Sequence, residues 1–214
     1  MRIDRRFNGP PGSANGGITC GLLAAHVDAP IAEVTLRKPP PLDTTMRVEA
    51  GRLYDGDVLV AEAGPGTVDI TAPAAVGVTE ATAAAAAYAG LVGHPFPTCF
   101  VCGLDRTDGL ALTASPVGDD GVVAAVWTPY ESSELLVWAA LDCPGAWSAD
   151  LPGRPMVLGR MACRIDALPA QDQPHVVQGW LLGGEGRKVR TGSALYDADG
   201  TVLAVAQATW ITLA

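Results

Sequence analysis

The chain has 214 residues, room for one large domain or two small ones at roughly 100–200 residues each. Hydrophobic residues make up 49% and charged residues 17%, which excludes intrinsic disorder; aromatics are only 6%, so the core must be built from Ala, Val and Leu. The formal net charge is −9, from 23 acidic against 14 basic residues, which argues against nucleic acid or an anionic membrane as partner, since both need a basic surface.

No apolar run reaches the ~18 residues of a membrane span. The basic start, Met1-Arg2-Ile3-Asp4-Arg5-Arg6, is followed by Asn8-Gly9-Pro10-Pro11 rather than an apolar stretch, so it does not read as a signal peptide. The cysteines number five, an odd count in a chain large enough to fold without staples. They read as reduced thiols, and the expected location is cytoplasmic.

Pro and Gly keep residues 9–17 out of regular structure. Residues 18–27 (ITCGLLAAHV) then carry Ile18, Leu22 and Leu23 at helical spacing. A short buried helix is expected there, with Asn15 as N-cap and Pro30 as its stop. Strands are expected at 31–37, 44–54, 58–63 and 67–71. Asp55-Gly56 supplies a hairpin turn between the second and third, and Gly64-Pro65-Gly66 one before the fourth. Residues 79–91 (TEATAAAAAYAGL) are Ala-rich and helix-prone, closed by Gly93 and Pro95.

Beyond this connector the same order returns. Strands are expected at 109–115 and 122–128, and an apolar helix at 134–147 (ELLVWAALDCPGAW) capped by Ser132 or Ser133. Strands follow at 156–167, 175–182, 188–196 and 202–212. The domain reading is therefore a first repeat at 1–76, a helical connector at 77–94 and a second repeat at 95–214. Leu53-Tyr54-Asp55 matches Leu195-Tyr196-Asp197 locally. Aligning on that match leaves the first half one strand short, so element order alone sets the repeat.

One apolar helix wrapped by a curved antiparallel sheet is the plan of the hotdog fold, and two copies make a double hotdog, an α+β architecture. Asn15-Gly16-Gly17 resembles the Asn/His-Gly-Gly opening of the central helix in hotdog acyl-CoA thioesterases, and Leu141-Asp142 resembles the acidic position of that helix. The segments 94–103 (HPFPTCFVCG) and 138–145 (WAALDCPG) are similar to actinobacterial thioesterase-like proteins. The resemblance implies an acyl-CoA substrate, no cofactor, and one site shared between the repeats. The first half has Gly16-Gly17 but Ala24 and Ala25 at the acidic position. The second has Asp142 but Glu134-Leu135 in place of the glycines. The halves complement each other for one complete site, and the other is expected to be dead.

The chemistry follows from the residue types. Free N–H groups at a helix start carry partial positive charge, so Gly16 and Gly17 are expected to hold the oxyanion of a thioester. Asp142 acts as general base or as nucleophile, and Asn15 orients water or carbonyl. The other reading of Gly16-Gly17 is a tight turn, and of Asp142 a structural cap or pair. Arg187, Lys188 and Arg190 are the densest basic cluster and the candidate contact for coenzyme A phosphates, with a solvated turn as the plainer reading.

Cys99-X-X-Cys102 has the spacing of half a zinc site. Cys20, Cys143 and Cys163 stand alone in the sequence and His26, His94 and His175 do not cluster. No metal is therefore expected, and the pair is read as packing at the domain junction. No phosphate-binding loop or nucleophile elbow is present. The expected function is acyl-CoA thioesterase; the alternative is a non-catalytic acyl-CoA or lipid-binding protein of the same fold. Homo-oligomers are compatible with either.

Overall fold

Asn15 starts the first helix as expected: its side chain accepts from the Ile18 N–H at 2.9 Å. In the computed structural model, which describes residues 1–213, the helix α1 (Gly16–Ala24) begins two residues before the expected 18 and ends well before Pro30. Four strands follow: β1 (Ala32–Leu36), β2 (Arg47–Glu49), β3 (Arg52–Asp55) and β4 (Val58–Pro65). A connector carries α2 (Val78–Ala84) and two short 3-10 turns. Then come β5 (Ser115–Val117), β6 (Val122–Trp127), α3 (Glu134–Ala140), α4 (Cys143–Trp147), β7 (Met156–Ile165), β8 (His175–Glu185), β9 (Lys188–Tyr196) and β10 (Val202–Thr212).

The strands form one sheet in the order β2-β3-β4-β1-β7-β10-β9-β8-β6-β5, antiparallel throughout. Two arms meet at the pairing of β1 with β7, where Ala32 faces Cys163 and Thr35 faces Arg160. Outward from that seam one arm runs β1-β4-β3-β2 and the other β7-β10-β9-β8. Each arm therefore holds the first, fourth, third and second strand after its helix. Only the second arm continues, into β6 and β5.

The arms also share an irregularity. Leu53 pairs with Ala61 and Tyr54 with Leu59, skipping Val60; Leu195 pairs with Ala204 and Tyr196 with Val202, skipping Leu203. The same bulge thus sits opposite the same Leu-Tyr pair, so the Leu-Tyr-Asp match does set the repeat register. Two expectations hid this. Residues 44–54 are not one strand: Ala50 (φ 47°) and Gly51 (φ 73°) make a two-residue turn joining Glu49 to Arg52, the geometry that favours positive φ at both central positions. Residues 67–71 are not a strand but cross the outer face of the sheet. There Val68 packs with Ala162, Ala194, Tyr196 and Val205. The Tyr196 hydroxyl donates to Pro73 O, and Gln178 bonds Ala74 O and Val76 N–H.

Both faces of the central strands are thus covered. Leu195 and Ala206 join the core beneath the helices, while Ala194, Tyr196 and Val205 lie under the crossing segment. Strands covered on both sides are buried without alternation: residues 191–196 of β9 and 203–206 of β10 are buried at every position, while the other end of each strand alternates. The small Ala-rich core lets α1 and α3 pack close together on the inner face. No helix among the described residues is long and apolar enough to cross a membrane.

Candidate active site at the crossing of two helices

Glycine brings the helices together. A Cβ on Gly17 would lie 2.5 Å from Trp138 O and 2.8 Å from Asp142 Cβ, and one on Gly16 would lie 2.7 Å from Leu158 Cβ. Neither contact is tolerable. The glycines therefore serve close approach rather than a left-handed turn, since neither has a positive φ.

The expected helix at 134–147 breaks at Leu141-Asp142. Pro144 has no N–H to continue the ladder, and the chain restarts as α4 with Pro144 in its first turn. The Leu141 carbonyl at the break accepts from Ser193 Oγ at 2.6 Å. The break turns Asp142 toward the start of α1.

Asp142 and Asn15 are each only 2% exposed. Asp142 Oδ2 accepts from the Gly17 N–H at 3.0 Å and from Asn15 Nδ2 at 2.8 Å. Oδ1 has no hydrogen-bond partner. Burial pushes the carboxyl up to about 7 and the Cys99 sulfur adds to this, while the Gly17 N–H and Asn15 act the other way. The two bonds to Oδ2 offset part of the cost of burying the group.

One expectation changes here. The Gly17 amide is taken by the carboxylate and is not free for an oxyanion. Ile18 N–H goes to Asn15 Oδ1 and Thr19 N–H to Asn15 O. Among the described residues, that leaves Gly16 N–H as the first-turn amide with no protein acceptor.

Asn15, Gly16 and Asp142 border a cavity of about 30 Å³, room for one or two waters. It shares Pro10, Gly16, Val157 and Leu158 with an apolar groove of about 380 Å³. That groove shares Leu36, Arg37, Gly159 and Ile211 with a polar depression of about 430 Å³ lined by Arg160, Lys188 and Arg190. A path of shared walls thus runs from basic side chains to the Asp142 cavity. Arg187 is diverted from it: its Nε and Nη2 donate to Thr212 O at 3.0 and 2.9 Å. Arg37 is paired with Glu62 and Arg160 with Glu33, whereas Lys188 and Arg190 make no ion pair among the described residues.

At the opposite end of the antiparallel helix pair, Glu134 lines a depression of about 320 Å³ with Gly21, Ala24 and Ala25. No carboxylate–amide pair like that of Asp142 and Gly17 forms there among the described residues.

The sequence reading also missed a neighbour. Cys143, isolated along the chain, is not isolated in space: its sulfur lies 3.8 Å from that of Cys99, and Cys99, Cys102 and Cys143 form one buried group. The Cys102 and Cys143 thiols, then the N–H groups of Cys102 and Val101, hold the Cys99 thiol well below its usual range. The signal lay in the sequence as Asp142-Cys143, because a neighbour of the site residue had to lie near whatever else lines the site.

No protein-family model and no curated protein sequence matches the chain. Solved structures do. A protein from Novosphingobium aromaticivorans described as a thioesterase superposes with a TM-score of 0.64 at 13% identity, covering 96% of this chain and 91% of its own. One from Thermobifida fusca, described as a thioesterase II, gives 0.60 at 12%, covering 100% and 91%. A hot dog protein of unknown function from Alicyclobacillus acidocaldarius gives 0.58 at 10%, covering 100% and 92%. At such identities the likeness concerns the fold: the chain has the double-hotdog fold, α+β as expected.

Proposed function

We propose that the protein is an acyl-CoA thioesterase whose single site lies where the start of α1 meets the α3–α4 break. The observation that carries this reading is the asymmetric bonding of the Asp142 carboxylate. Oδ2 is pinned by Gly17 and Asn15, while Oδ1 is buried without a partner beside a cavity of water size. A buried acceptor left bare costs ~1–3 kcal/mol, and a water to be activated accounts for it. In this reading residues 1–76 and 95–214 are the two repeats joined by 77–94; the first supplies the amides and the second the carboxylate.

The chemistry runs as a hydrolysis. A water in the cavity donates one proton to Asp142 Oδ1 as its oxygen attacks the thioester carbon. The carbonyl oxygen, becoming an oxyanion, faces the Gly16 N–H; one such donor supplies ~3–4 kcal/mol in comparable sites. Collapse of the tetrahedral intermediate breaks the carbon–sulfur bond. The proton held by Asp142 passes to the leaving thiolate, giving a carboxylic acid and free coenzyme A. The water-sized cavity favours this base role over direct attack by Asp142.

The apolar groove suits the pantetheine arm, and Lys188 and Arg190 suit the phosphates. Two of the fold neighbours are themselves described as thioesterases, which supports the assignment. The test is release of free thiol from a panel of short-, medium- and long-chain acyl-CoAs by the purified protein. Turnover of at least one chain length is expected. Saturable binding of acyl-CoA with no thiol release across the panel overturns the enzyme and favours a non-catalytic acyl-CoA carrier.

A further inference from the structure

Three thiols from two separate segments converge beside the site, and the thioester chemistry above uses none of them. Cys99 and Cys102 come from the irregular stretch between the connector and β5; Cys143 begins α4. All three are buried and unoxidised, and their sulfurs lie within 4.8 Å of one another.

Buried free cysteine is most often a small apolar residue in packing. Cys20 and Cys163 fit that description, since each stands outside the group. The other three do not, for reasons of distance. Zinc–thiolate bonds of about 2.3 Å in a tetrahedron put sulfurs about 3.8 Å apart. The Cys99 and Cys143 sulfurs are 3.8 Å apart, so the pair already stands at the spacing of two ligands on one ion.

The backbone is built for such a geometry. The turn Cys99-Phe100-Val101-Cys102-Gly103 closes with Gly103 N–H on Cys99 O at 2.9 Å. A Cβ at Gly103 would lie 2.4 Å from Pro97 O and 2.5 Å from Cys99 N, so only glycine closes it. The turn is stitched to the rest of the molecule by Phe100 N–H to Asn8 O and Leu112 N–H to Val101 O. The Tyr88 hydroxyl donates to Cys102 O at 2.9 Å. Long irregular stretches held this firmly inside a domain are usually functional. In addition, the buried Trp147 indole N–H has no hydrogen-bond acceptor.

We infer that Cys99, Cys102 and Cys143 bind one thiophilic divalent cation, zinc being the natural occupant by ligand type and geometry. The three thiols give up three protons on binding, leaving a complex of net charge −1. No fourth cysteine, histidine or carboxylate joins the group among the described residues. All three cysteines border the cavity that also holds Asp142, so the fourth position falls to water from that cavity. The inference does not depend on the thioesterase reading: a chain that binds metal and hydrolyses nothing would keep the one and lose the other.

Cobalt(II) titration of the full-length protein, stripped of metal and kept reduced, tests it without reference to activity. One equivalent is expected to produce sulfur-to-cobalt charge-transfer absorption of three-thiolate intensity, with the red d–d bands of a tetrahedral site, both bleached by zinc. Cys143→Ser should weaken binding by more than the roughly 10–100-fold that loss of an outer hydrogen-bond partner costs at metal sites; Cys163→Ser should leave the spectrum unchanged. The wild-type titration decides the matter even if the Cys143 variant fails to fold. Absence of thiolate–cobalt absorption, with all five cysteines titrating as free thiols after denaturation, overturns the inference. So does a spectrum that survives Cys143→Ser and disappears with Cys163→Ser.

Discussion

Asn15 and Asp142, 127 positions apart, meet through a 2.8 Å bond from the amide Nδ2 to the carboxylate Oδ2. The same side chain caps α1 through its oxygen, so one residue starts the helix and aims the acid. The two jobs separate by substitution. Asn15→Ser keeps an oxygen for the Ile18 N–H, and Ser caps about as well as Asn. It lacks the long amide donor. The cap should hold, the lost bond to the buried carboxylate should lower stability by ~1–3 kcal/mol, and kcat should fall on the order of 10-fold. Asn15→Ala should lose the cap as well, a further ~1 kcal/mol. Urea denaturation alongside thiol-release kinetics reads both; wild-type turnover in the Ser variant would remove the positioning role.

Asp142→Asn keeps size and an oxygen for the Gly17 N–H but cannot take a proton from water. Turnover should drop ~10²–10⁴-fold, the usual contribution of a general base. The melting temperature should hold or rise, because the variant no longer buries an ionisable carboxyl. Asp142→Ala is a poorer test. It strands the Gly17 and Asn15 donors inside the protein, at ~1–3 kcal/mol for unmet groups, so lost activity there would be confounded with lost folding. Undiminished thiol release by Asp142→Asn would sink the assignment.

Much of this site was legible in the sequence, and the unread part has physical causes. Asn15 as cap and Pro144 as breaker announce themselves by local chemistry, and local chemistry is what a sequence displays. The role of Gly17 was not readable, because it depends on how close α3 comes: its amide meets Asp142 rather than an oxyanion. Arg187 looked like its neighbours along the chain, yet its guanidinium folds back on Thr212 O. The strand count came out right for the wrong elements. A two-residue turn at Ala50-Gly51 carries no Asn-Gly or Asp-Gly flag, and 67–71 has the composition of a strand without an edge to join. Cys143 shows the same limit, since its partners lie on another segment.

Gly17→Ala tests the close crossing itself. The added methyl would meet a backbone oxygen, Trp138 O, at 2.5 Å, and backbone cannot swing aside as a side chain can. Overpacking of this kind costs ~1–3 kcal/mol, and any relief moves α3 away from α1 and Asp142 from its donors. Stability and turnover should fall together. Gly77→Ala is the control: nothing lies within 4 Å of its Cβ position, so its stability change should stay below about 1 kcal/mol. Thermal denaturation of the two variants, with kcat measured on each, makes the comparison. Equal behaviour would mean that the helices can part without consequence.

The last expectation concerns the basic side chains. Lys188 and Arg190 line the polar depression and are unpaired among the described residues, whereas Arg187 is spent on the backbone of β10. Lys188→Glu and Arg190→Glu should therefore raise KM for acyl-CoA, each by about 10-fold or ~1.4 kcal/mol, with kcat nearly unchanged, because the phosphates they would hold are remote from the reacting carbon. Added salt should narrow the gap to wild type, since exposed charges are screened. With an acyl thioester of N-acetylcysteamine, which has the thiol end but no phosphates, the same variants should match wild type. Arg187→Ala should do the opposite: KM steady, stability lower by about 1 kcal/mol for the lost bonds to Thr212. A KM that responds equally with both substrates would place the effect in the fold of the β8–β9 hairpin instead of in phosphate recognition.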